Sequence, residues 1–175
     1  MKRTAISAMA LLFANAISAA PLSVLPTGLG EAIDAGVERL QGATAPFRAI
    51  DRATAAGYVQ ETECVERLPE GGMGYHFTKH ELRDGTLELE KPEVLVYGKL
   101  ADGSFKLNGV EYIVPIEAWS SSEPPIIMGQ PLKRFDRGGF WYLHVWIWEP
   151  SPSGLFADWN PRVTCPTQNS QAGSE

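Results

Sequence analysis

Three side chains from separate segments of the chain have the chemistry to form one polar site, namely His76, Glu111 and His144. Each of them lies in a stretch rich in apolar residues, where a titratable group is costly to bury without a partner. Two imidazoles and one carboxylate could bind zinc, iron or copper and leave a coordination position open. Without a metal, a histidine–glutamate pair could carry out acid–base chemistry on a small ligand.

The same residues also allow a purely structural interpretation. Buried histidines are often satisfied by backbone carbonyls or by a tyrosine, and Glu111 could pair with Lys106, Arg134 or Arg137. The three residues form no local motif, because the chain contains no HExxH, CxxC or GxSxG sequence. The residue pattern therefore leaves open a metal site, an acid–base site and a structural cluster, and it leaves open whether the protein is an enzyme.

The segment that carries His144, FWYLHVWIW at 140–148, also supplies aromatic side chains. Side chains of a strand alternate between its two faces. One face is therefore predicted to hold Tyr142, His144, Trp146 and Trp148. We predict that the three aromatic residues of this face bind an apolar ligand. The five tryptophans of the chain could also form an exposed row for sugar rings, although burial in a small core is commoner.

Strands and helices must position these residues. Alternating or continuous apolar residues predict four strands, at 73–79, 93–100, 104–116 and 140–148. No helical segments alternate with the strands, so we predict the α+β class. The predicted architecture is a four-stranded, curved antiparallel sheet packed against one or two N-terminal helices. We place the pocket of the three polar residues between this sheet and a helix.

Two helices are predicted before the sheet, and one long connection lies within it. Apolar residues at helical spacing predict a helix in LGEAIDAGVERLQG at 29–42, and a second one between Thr44 as cap and Gly57 as stop signal. Residues 118–139 carry no clear strand pattern, so we predict a loop of about 20 residues. Loops of this length tend to be lids, binding loops or disordered.

The first twenty residues are predicted to be a signal peptide. Lys2 and Arg3 precede an apolar run from Ala5 to Ile17 that is too short for a membrane span, and small residues follow it. The mature protein is therefore predicted to be secreted, either extracellular or periplasmic. Removal of the leader changes the net charge from -6 to about -8. An acidic chain without a Lys/Arg cluster argues against nucleic acid and anionic membranes as partners.

The remaining residues, about 155 of them, are enough for one domain with a core. We predict an N-terminal segment with a helix over 21–45, a single α+β domain over 46–166 and a disordered tail over 167–175. Cys64 and Cys165 predict a disulfide in an exported protein, and the alternative is a pair of free thiols or metal ligands. Such a bridge would close a loop of about 100 residues and contribute roughly 4–5 kcal/mol.

Four motifs together resemble an uncharacterised family of small secreted proteins with the patterns GMG-x-H, VEY-x-VP, LHVW-x-W and WNP-x-V-x-C. In this chain the motifs are GGMGYH at 71–76, GVEYIVP at 109–115, LHVWIW at 143–148 and PSGLFADWNPRVTC at 152–165. The resemblance covers about residues 47 to 165 and brings no known activity. It implies that Cys64 pairs with Cys165, and it places His76, Glu111 and His144 inside the motifs.

Two functions from different classes follow from these observations. The first is a secreted small-ligand or metal-binding domain that uses the His76, Glu111 and His144 pocket and could also be catalytic. Its candidate cofactor is a divalent transition metal, and its candidate partner is a small molecule. The second is a non-catalytic exported interaction protein, directed at a host or the cell envelope, that uses residues 118–139. Nothing in the sequence indicates an oligomeric state.

Overall fold

The computed structural model describes residues 26–166, so the predicted signal peptide and the predicted disordered tail at 167–175 lie outside the described residues. Within the described range the chain forms two α-helices and nine β-strands. The helices are α1 (Glu31–Thr44) and α2 (Ile50–Ala55), and the strands are β1 (Val59–Gln60), β2 (Val65–Arg67), β3 (Gly71–Thr78), β4 (Val94–Lys99), β5 (Phe105–Pro115), β6 (Ile126–Ile127), β7 (Gln130–Pro131), β8 (Lys133–Phe135) and β9 (Phe140–Val145). Short 3₁₀ turns lie at Ala45–Arg48, His80–Leu82 and Ile116–Ala118.

The predicted α+β class is confirmed, but the sheet is larger than four strands. Its strand order is β1-β3-β4-β5-β9-β8, with β2 paired to β3, and every pairing is antiparallel. The four predicted strands are the central ones, β3, β4, β5 and β9. The additional strands are two or three residues long, too short to show an alternating pattern in the sequence.

The helical region follows the prediction with one interruption. In α1 the apolar stripe buries Val37 and Leu40 against the sheet. The second predicted helix is split, because Ala49 adopts an extended conformation (φ -92°, ψ 114°) between the 3₁₀ turn Ala45–Arg48 and α2. Gly57 follows α2 with φ of 94°, a left-handed conformation that suits glycine at the end of a helix. In residues 26–166, no helix has the length and apolarity needed to cross a membrane.

Residues 118–139 form short strands and not the long loop that we predicted. The strands β6 and β7 form a hairpin whose central residues, Met128 and Gly129, both have positive φ, and β8 then pairs with β9. Ile127 and Leu132 are buried in the main core. The prediction failed because each strand here is shorter than one repeat of any recognisable pattern.

The central sheet has two covered faces. The face that we call the helix face packs against α1 and α2 and is apolar, with residues such as Leu95, Val110 and Leu143. We call the opposite face the cleft face. Its apolar residues form a second, smaller cluster, listed here in full: Val94, Val96, Ile113, Trp146 and Val163.

Residues 157–165, which we call the covering segment, pack over part of the cleft face. Its backbone docks on the start of β3, where the N–H of Gly72 donates to the carbonyl of Val163 at 2.7 Å and the N–H of Asn160 donates to the carbonyl of Gly72 at 3.0 Å. A side chain at Gly71 or Gly72 would clash, since an added Cβ would lie 2.3 Å or 2.7 Å from a carbonyl oxygen of this segment. The predicted disulfide is confirmed, and it joins the end of the segment at Cys165 to Cys64.

Candidate metal centre

Three strands bring the predicted polar residues together on the cleft face. Glu111 of β5 lies directly opposite His144 of β9. His76 lies on β3, on the other side of β4, and its cross-strand row is two residues away from the row of Glu111. The Nε2 atoms of the two histidines are 3.5 Å apart. The two carboxylate oxygens of Glu111 lie 3.8 Å from Nε2 of His76 and 3.7 Å from Nε2 of His144. One candidate ligand atom from each residue lies within 4.8 Å of the other two.

The three residues converge as predicted, but the prediction that they lie between the sheet and a helix is wrong. On β3, His76 alternates with Tyr75 and Phe77, and these two aromatic side chains take the helix face. The polar residues are therefore on the opposite face, beneath the covering segment. Alternation separates the two faces of a strand, but it does not tell which face the helices will cover.

A glycine beside the candidate site lets the chain at the end of β9 pass close to β5. Gly109 of β5 lies in the same cross-strand row as Val96 and His76, and on the same face as Glu111. An added Cβ at Gly109 would lie 2.6 Å from the carbonyl oxygen of Val145, so this close approach of β5 and β9 requires glycine. A β-bulge between Val96 and Tyr97 adds local twist to the sheet.

Burial shifts all three groups toward their neutral forms. The exposed fractions are 7% for His76, 6% for Glu111 and 1% for His144. Burial lowers the pKa of both imidazoles below the usual value for histidine and raises the pKa of the Glu111 carboxyl. Neutral imidazoles are the form that binds a metal, whereas Glu111 must release its proton to do so. Metal binding is therefore expected to release a proton and to strengthen as the pH rises.

The ring of His76 is held in place by Thr62. The hydroxyl of Thr62 accepts a hydrogen bond from the backbone N–H of His76 at 3.2 Å and also lies 3.0 Å from Nδ1 of its ring. Nε2 is thereby directed toward Glu111 and His144. A polar group on the second ring nitrogen is the usual way in which proteins fix the orientation of a metal-binding histidine.

His144 is held by aromatic packing and not by a hydrogen bond to its second nitrogen. Its ring stacks on Trp146 at 5.9 Å with an interplanar angle of 10°, and Tyr142 packs against its edge at 5.9 Å. Its Nδ1 atom is buried and has no hydrogen-bond partner among residues 26–166. The two histidines are thus positioned by different means.

The structural interpretation predicted partners that these residues do not have. Within residues 26–166, His144 makes no hydrogen bond to a backbone carbonyl or a tyrosine. Two of the cations proposed for Glu111 are paired elsewhere, since Lys106 binds Glu149 and Arg134 binds Asp136. The contacts between Glu111 and the two histidines are longer than ordinary hydrogen bonds. In the described part of the chain, the cluster therefore has the Thr62 contact of His76 and the contact between the two imidazoles as its side-chain hydrogen bonds, and Glu111 has none.

The predicted aromatic ligand-binding residues divide into three different positions. Tyr142 lines a cleft beside the metal centre. Trp146 is buried behind His144, where its indole N–H donates to the carbonyl of Ala157 at 2.7 Å. Trp148 lies on the helix face, where its N–H donates to the hydroxyl of Thr44 at 3.0 Å.

The prediction that Trp148 shares a face with His144 is wrong because β9 ends at Val145. The backbone N–H groups of Trp148 and Glu149 both donate to the carbonyl of Asn108, so the chain turns and the alternation of faces stops. All five tryptophans lie within the described range, and each is buried or half-buried. The alternative of an exposed row for sugar rings is therefore wrong as well.

The cluster of His76, Glu111 and His144 opens to a cleft of about 660 Å³ beneath the covering segment. His76 and Glu111 form part of its lining, while His144 lies behind them. Polar lining residues that the sequence analysis missed come from loops and strand ends, namely Glu61, Thr62, Arg67, Thr78, Arg83, Asp158 and Trp159. Apart from Thr78, which ends β3, these residues lie in segments without a recognisable pattern of apolar residues. The one indication in the sequence was that Cys64 and Cys165 lie close to several of them.

The spacing of the donor atoms is close to what a transition metal requires. Ligand atoms about 2.1 Å from a tetrahedral ion lie about 3.4 Å from one another. Here the two Nε2 atoms are 3.5 Å apart, and each lies 3.7 or 3.8 Å from a different oxygen of Glu111. One donor atom per residue gives a set within 4.8 Å, so the Glu111 carboxylate would have to turn toward the ion to bind through one oxygen, and the remaining coordination position would face the cleft. Two imidazoles and a carboxylate are a donor set used for zinc and for iron.

Comparison with family models, curated proteins and solved structures finds no match for this chain. The resemblance to a family of small secreted proteins therefore stays a prediction. The assignment of the site depends on the geometry of its residues alone.

Proposed function

We propose that this protein is a secreted domain that binds a divalent transition metal through His76, Glu111 and His144. The ion would present an open coordination position to a small molecule in the cleft. The observation that carries the proposal is the convergence of three buried donor residues from three strands, whose nearest donor atoms are 3.5 to 3.8 Å apart. Secretion is supported by the disulfide between Cys64 and Cys165 and by the leader-like sequence of the first twenty residues.

The buried cluster is better satisfied with a metal than without one. Without a metal, one Nε2–H of the two imidazoles can donate to the facing Nε2 and so satisfy both atoms, but the carboxylate oxygens of Glu111 have only the contacts of 3.7 and 3.8 Å with the imidazoles. An ion would accept the lone pairs of both imidazoles and the charge of Glu111. The unpaired Nδ1 of His144 would then carry a buried hydrogen without an acceptor. We therefore expect weaker binding, by about tenfold to a hundredfold, than in a site where both histidines have such a partner.

Such a metal supplies Lewis-acid chemistry to an oxygen atom of a bound ligand or to water. The protein's own part is to exclude bulk water with the covering segment and to hold the ligand against the aromatic side of the cleft. A ligand that stays bound at the open coordination position of the ion would make the protein a binding protein, whereas a ligand or water molecule that reacts there would make it an enzyme.

The alternative of an interaction protein that uses residues 118–139 receives less support from the fold. This stretch contributes Ile127 and Leu132 to the core, and its strand β8 belongs to the main sheet. Its backbone is therefore fixed to the domain at these points, although most of its side chains, Ile126 and Phe135 among them, remain exposed.

Elemental analysis of the purified full chain, after equilibration with Zn²⁺ and removal of free ion, tests the proposal. The wild-type protein should retain close to one ion per chain, whereas Glu111→Gln and His76→Ala should retain little. His80→Ala is the matched control, because His80 is exposed and lies outside the cluster. Glu111→Gln preserves the shape of the side chain, so loss of metal in that variant is not a consequence of a cavity.

Two results would contradict the proposal. The first is negligible metal in the wild-type protein under conditions where its fold and disulfide are intact. The second is equal metal content in the wild-type protein, His80→Ala and Glu111→Gln, which would place the ion elsewhere. Both cysteines are oxidised, so thiols do not compete for the ion.

A further inference from the structure

The charged residues around the cleft are paired, with one exception. Glu61 accepts two hydrogen bonds from Arg83, at 2.6 and 3.1 Å, and Asp158 binds the ammonium of Lys133 at 2.6 Å. Arg67 is the lining residue whose charge is not matched in this way. Its nearest carboxylate oxygen within residues 26–166 belongs to Glu70, at 3.5 Å from Nε.

The guanidinium of Arg67 is placed at the cleft by an aromatic contact. It lies over the ring of Trp159, with 4.6 Å between its central carbon and the ring centroid. This contact restrains the cation without using its N–H groups, and no hydrogen bond from them is formed within residues 26–166. The side chain is 59% exposed. Arg67 therefore has free donors in the fork arrangement that binds a carboxylate through two hydrogen bonds.

The inner end of the cleft is also positive once the metal is bound. A divalent ion held by two neutral imidazoles and one carboxylate leaves one net positive charge at the site. Beyond Arg67 and the ion, the protein as a whole is acidic, with a net charge of -6. Long-range electrostatics do not favour an anion, so its binding would depend on these two local charges.

A third part of the cleft lining is aromatic. Phe135, Phe140 and Tyr142 contact one another edge to face, with ring centroids 5.4 to 6.4 Å apart. Phe135 is 44% exposed although it is large and apolar. A planar apolar body lying against these rings would remove that exposed surface from water.

We infer that the cleft binds a small aromatic carboxylate, with its carboxylate on Arg67, its ring against Phe135 and Tyr142, and its inner end toward the metal. This inference rests on the proposed metal site for the inner end of the ligand alone. The cleft volume of about 660 Å³ lies within the range of small-molecule sites. It is ample for a single aromatic ring with a short acidic side chain.

Calorimetric titration of the Zn²⁺-loaded full chain with phenylacetate tests the inference, with phenylacetamide as the neutral counterpart. The wild-type protein should bind phenylacetate at least tenfold more tightly than phenylacetamide. Arg67→Gln should weaken phenylacetate at least tenfold and leave phenylacetamide unchanged. Arg39→Gln is the matched control, because Arg39 of α1 is similarly exposed but pairs with Glu90, and neither residue lines the cleft.

A second variant tests the aromatic wall independently of charge. Phe135→Ala should weaken phenylacetate severalfold and leave the weaker binding of acetate unchanged, because acetate has no ring. The side chain of Phe135 is partly exposed, so its removal is not expected to unfold the domain.

The possible outcomes separate this inference from the proposed function. If Zn²⁺ binds but phenylacetate does not, or if Arg67→Gln and Arg39→Gln bind it equally, the inference is wrong and the metal site stands. If the wild-type protein retains no Zn²⁺, the proposed function is wrong. In that case, Arg67-dependent binding of phenylacetate to the metal-free chain would still support the carboxylate site, and its absence would overturn it.

Discussion

The two faces of the central sheet belong to the same four strands, but their buried polar groups differ in the hydrogen-bond partners that they find. On the helix face, three buried tyrosines donate their hydroxyl groups to backbone carbonyls: Tyr58 to Pro92, Tyr97 to Phe47 and Tyr112 to Leu89. Most other buried side chains of that face are apolar. On the cleft face, His76, Glu111 and His144 are as deeply buried, yet they face one another at 3.5 Å or more.

The helix face satisfies its polar groups with direct bonds, whereas the cleft face leaves some of them without such bonds. A buried polar group without a good partner lowers the free energy of unfolding by about 1–3 kcal/mol. The helix face avoids that penalty at every tyrosine, whereas the cleft face accepts it at some of its polar groups. Buried polar groups without direct partners are expected at sites where a bound ligand or ion supplies the missing interaction. The contrast between the faces therefore supports a binding site on one of them.

The largest effect is expected from removal of the disulfide, which ties the cover of the cleft face in place. The double variant Cys64→Ala/Cys165→Ala opens a loop with a sequence separation of 101. In the chain-entropy model it should lower the free energy of unfolding by roughly 4–5 kcal/mol. Amide hydrogen exchange should rise first in the covering segment and last in Leu40 and its neighbours of α1. Equal loss of protection in both regions would contradict this order.

Two neighbouring residues of β9 allow the faces to be compared by substitution. Leu143 lies on the helix face, and Leu143→Ala should lower the free energy of unfolding by about 2–5 kcal/mol because it leaves a cavity. His144→Leu, one residue further on, should leave the metal-free protein within about 1 kcal/mol of wild type or stabilise it, since it removes an unpaired buried nitrogen. Denaturant unfolding of both metal-free variants gives the comparison.

The Zn²⁺-loaded proteins sharpen the same test. Leu143→Ala should still gain stability from the metal, whereas His144→Leu should gain none, because binding to the native state stabilises it only where the site remains. Equal losses in the metal-free variants, or equal gains on Zn²⁺ addition, would remove the distinction between the faces.

A buried carboxyl next to the sheet predicts a pH dependence of stability. Burial raises the pKa of Glu93 to about 8, and the backbone N–H of Ile113 donates to its carboxylate at 3.0 Å. In the unfolded chain this pKa is near 4.5. The folded state therefore binds more protons between these values, so the free energy of unfolding falls as the pH rises toward 8. Glu111 acts in the same direction in the metal-free protein.

The window from about pH 6.5 to 8 isolates this effect. Burial lowers the pKa of His76 to about 4, so the buried histidines add the opposite slope below the pKa of unfolded histidine, near 6.5. Between these two pH values, the free energy of unfolding of Glu93→Gln should fall by about 1–2 kcal/mol less than that of the wild-type protein. The amide oxygen of the glutamine still accepts the hydrogen bond from the backbone N–H of Ile113. Glu90→Gln is the control, because Glu90 is half exposed. An unchanged slope in Glu93→Gln would show that Glu93 does not titrate there.

The alternation of side chains in strands was enough to predict the central sheet and the three polar residues that meet on it. The apolar setting of His76, Glu111 and His144 makes them conspicuous, because such groups are rarely buried alone. What the pattern could not supply was the face on which the helices pack. That choice depends on the total apolar area of each face, which includes residues from loops that the strand pattern does not cover.

The cleft residues that the sequence did not predict lie in segments where apolar and polar residues follow no regular pattern. Thr62 and Arg67 lie in a connection and in a strand of three residues, so no pattern assigns them to a face. Trp148 was misplaced because alternation holds only inside a strand, and β9 ends three residues earlier. The disulfide was predictable from composition and compartment, and it ties two of the missed segments together at the cleft.

The smallest predicted effect concerns the way in which the two histidines are oriented. Thr62→Val removes the hydroxyl that contacts both the backbone N–H and Nδ1 of His76, and it should weaken Zn²⁺ binding about tenfold. Thr62→Ser keeps the hydroxyl and should restore binding to within about twofold of wild type. Thr54→Val, at an exposed threonine of α2, is the matched control.

A competition titration with a chelator measures the affinity of each variant for Zn²⁺, and denaturant unfolding measures its stability. A merely structural threonine would lower stability in Thr62→Val without changing affinity, so a split between the two measurements decides its role. No such positioning group exists for His144 within residues 26–166, where Trp146 and Tyr142 provide only packing. The cleft face therefore depends on one hydroxyl for the direction of His76, while the helix face, whose polar groups bond to backbone carbonyls, should be unaffected by its loss.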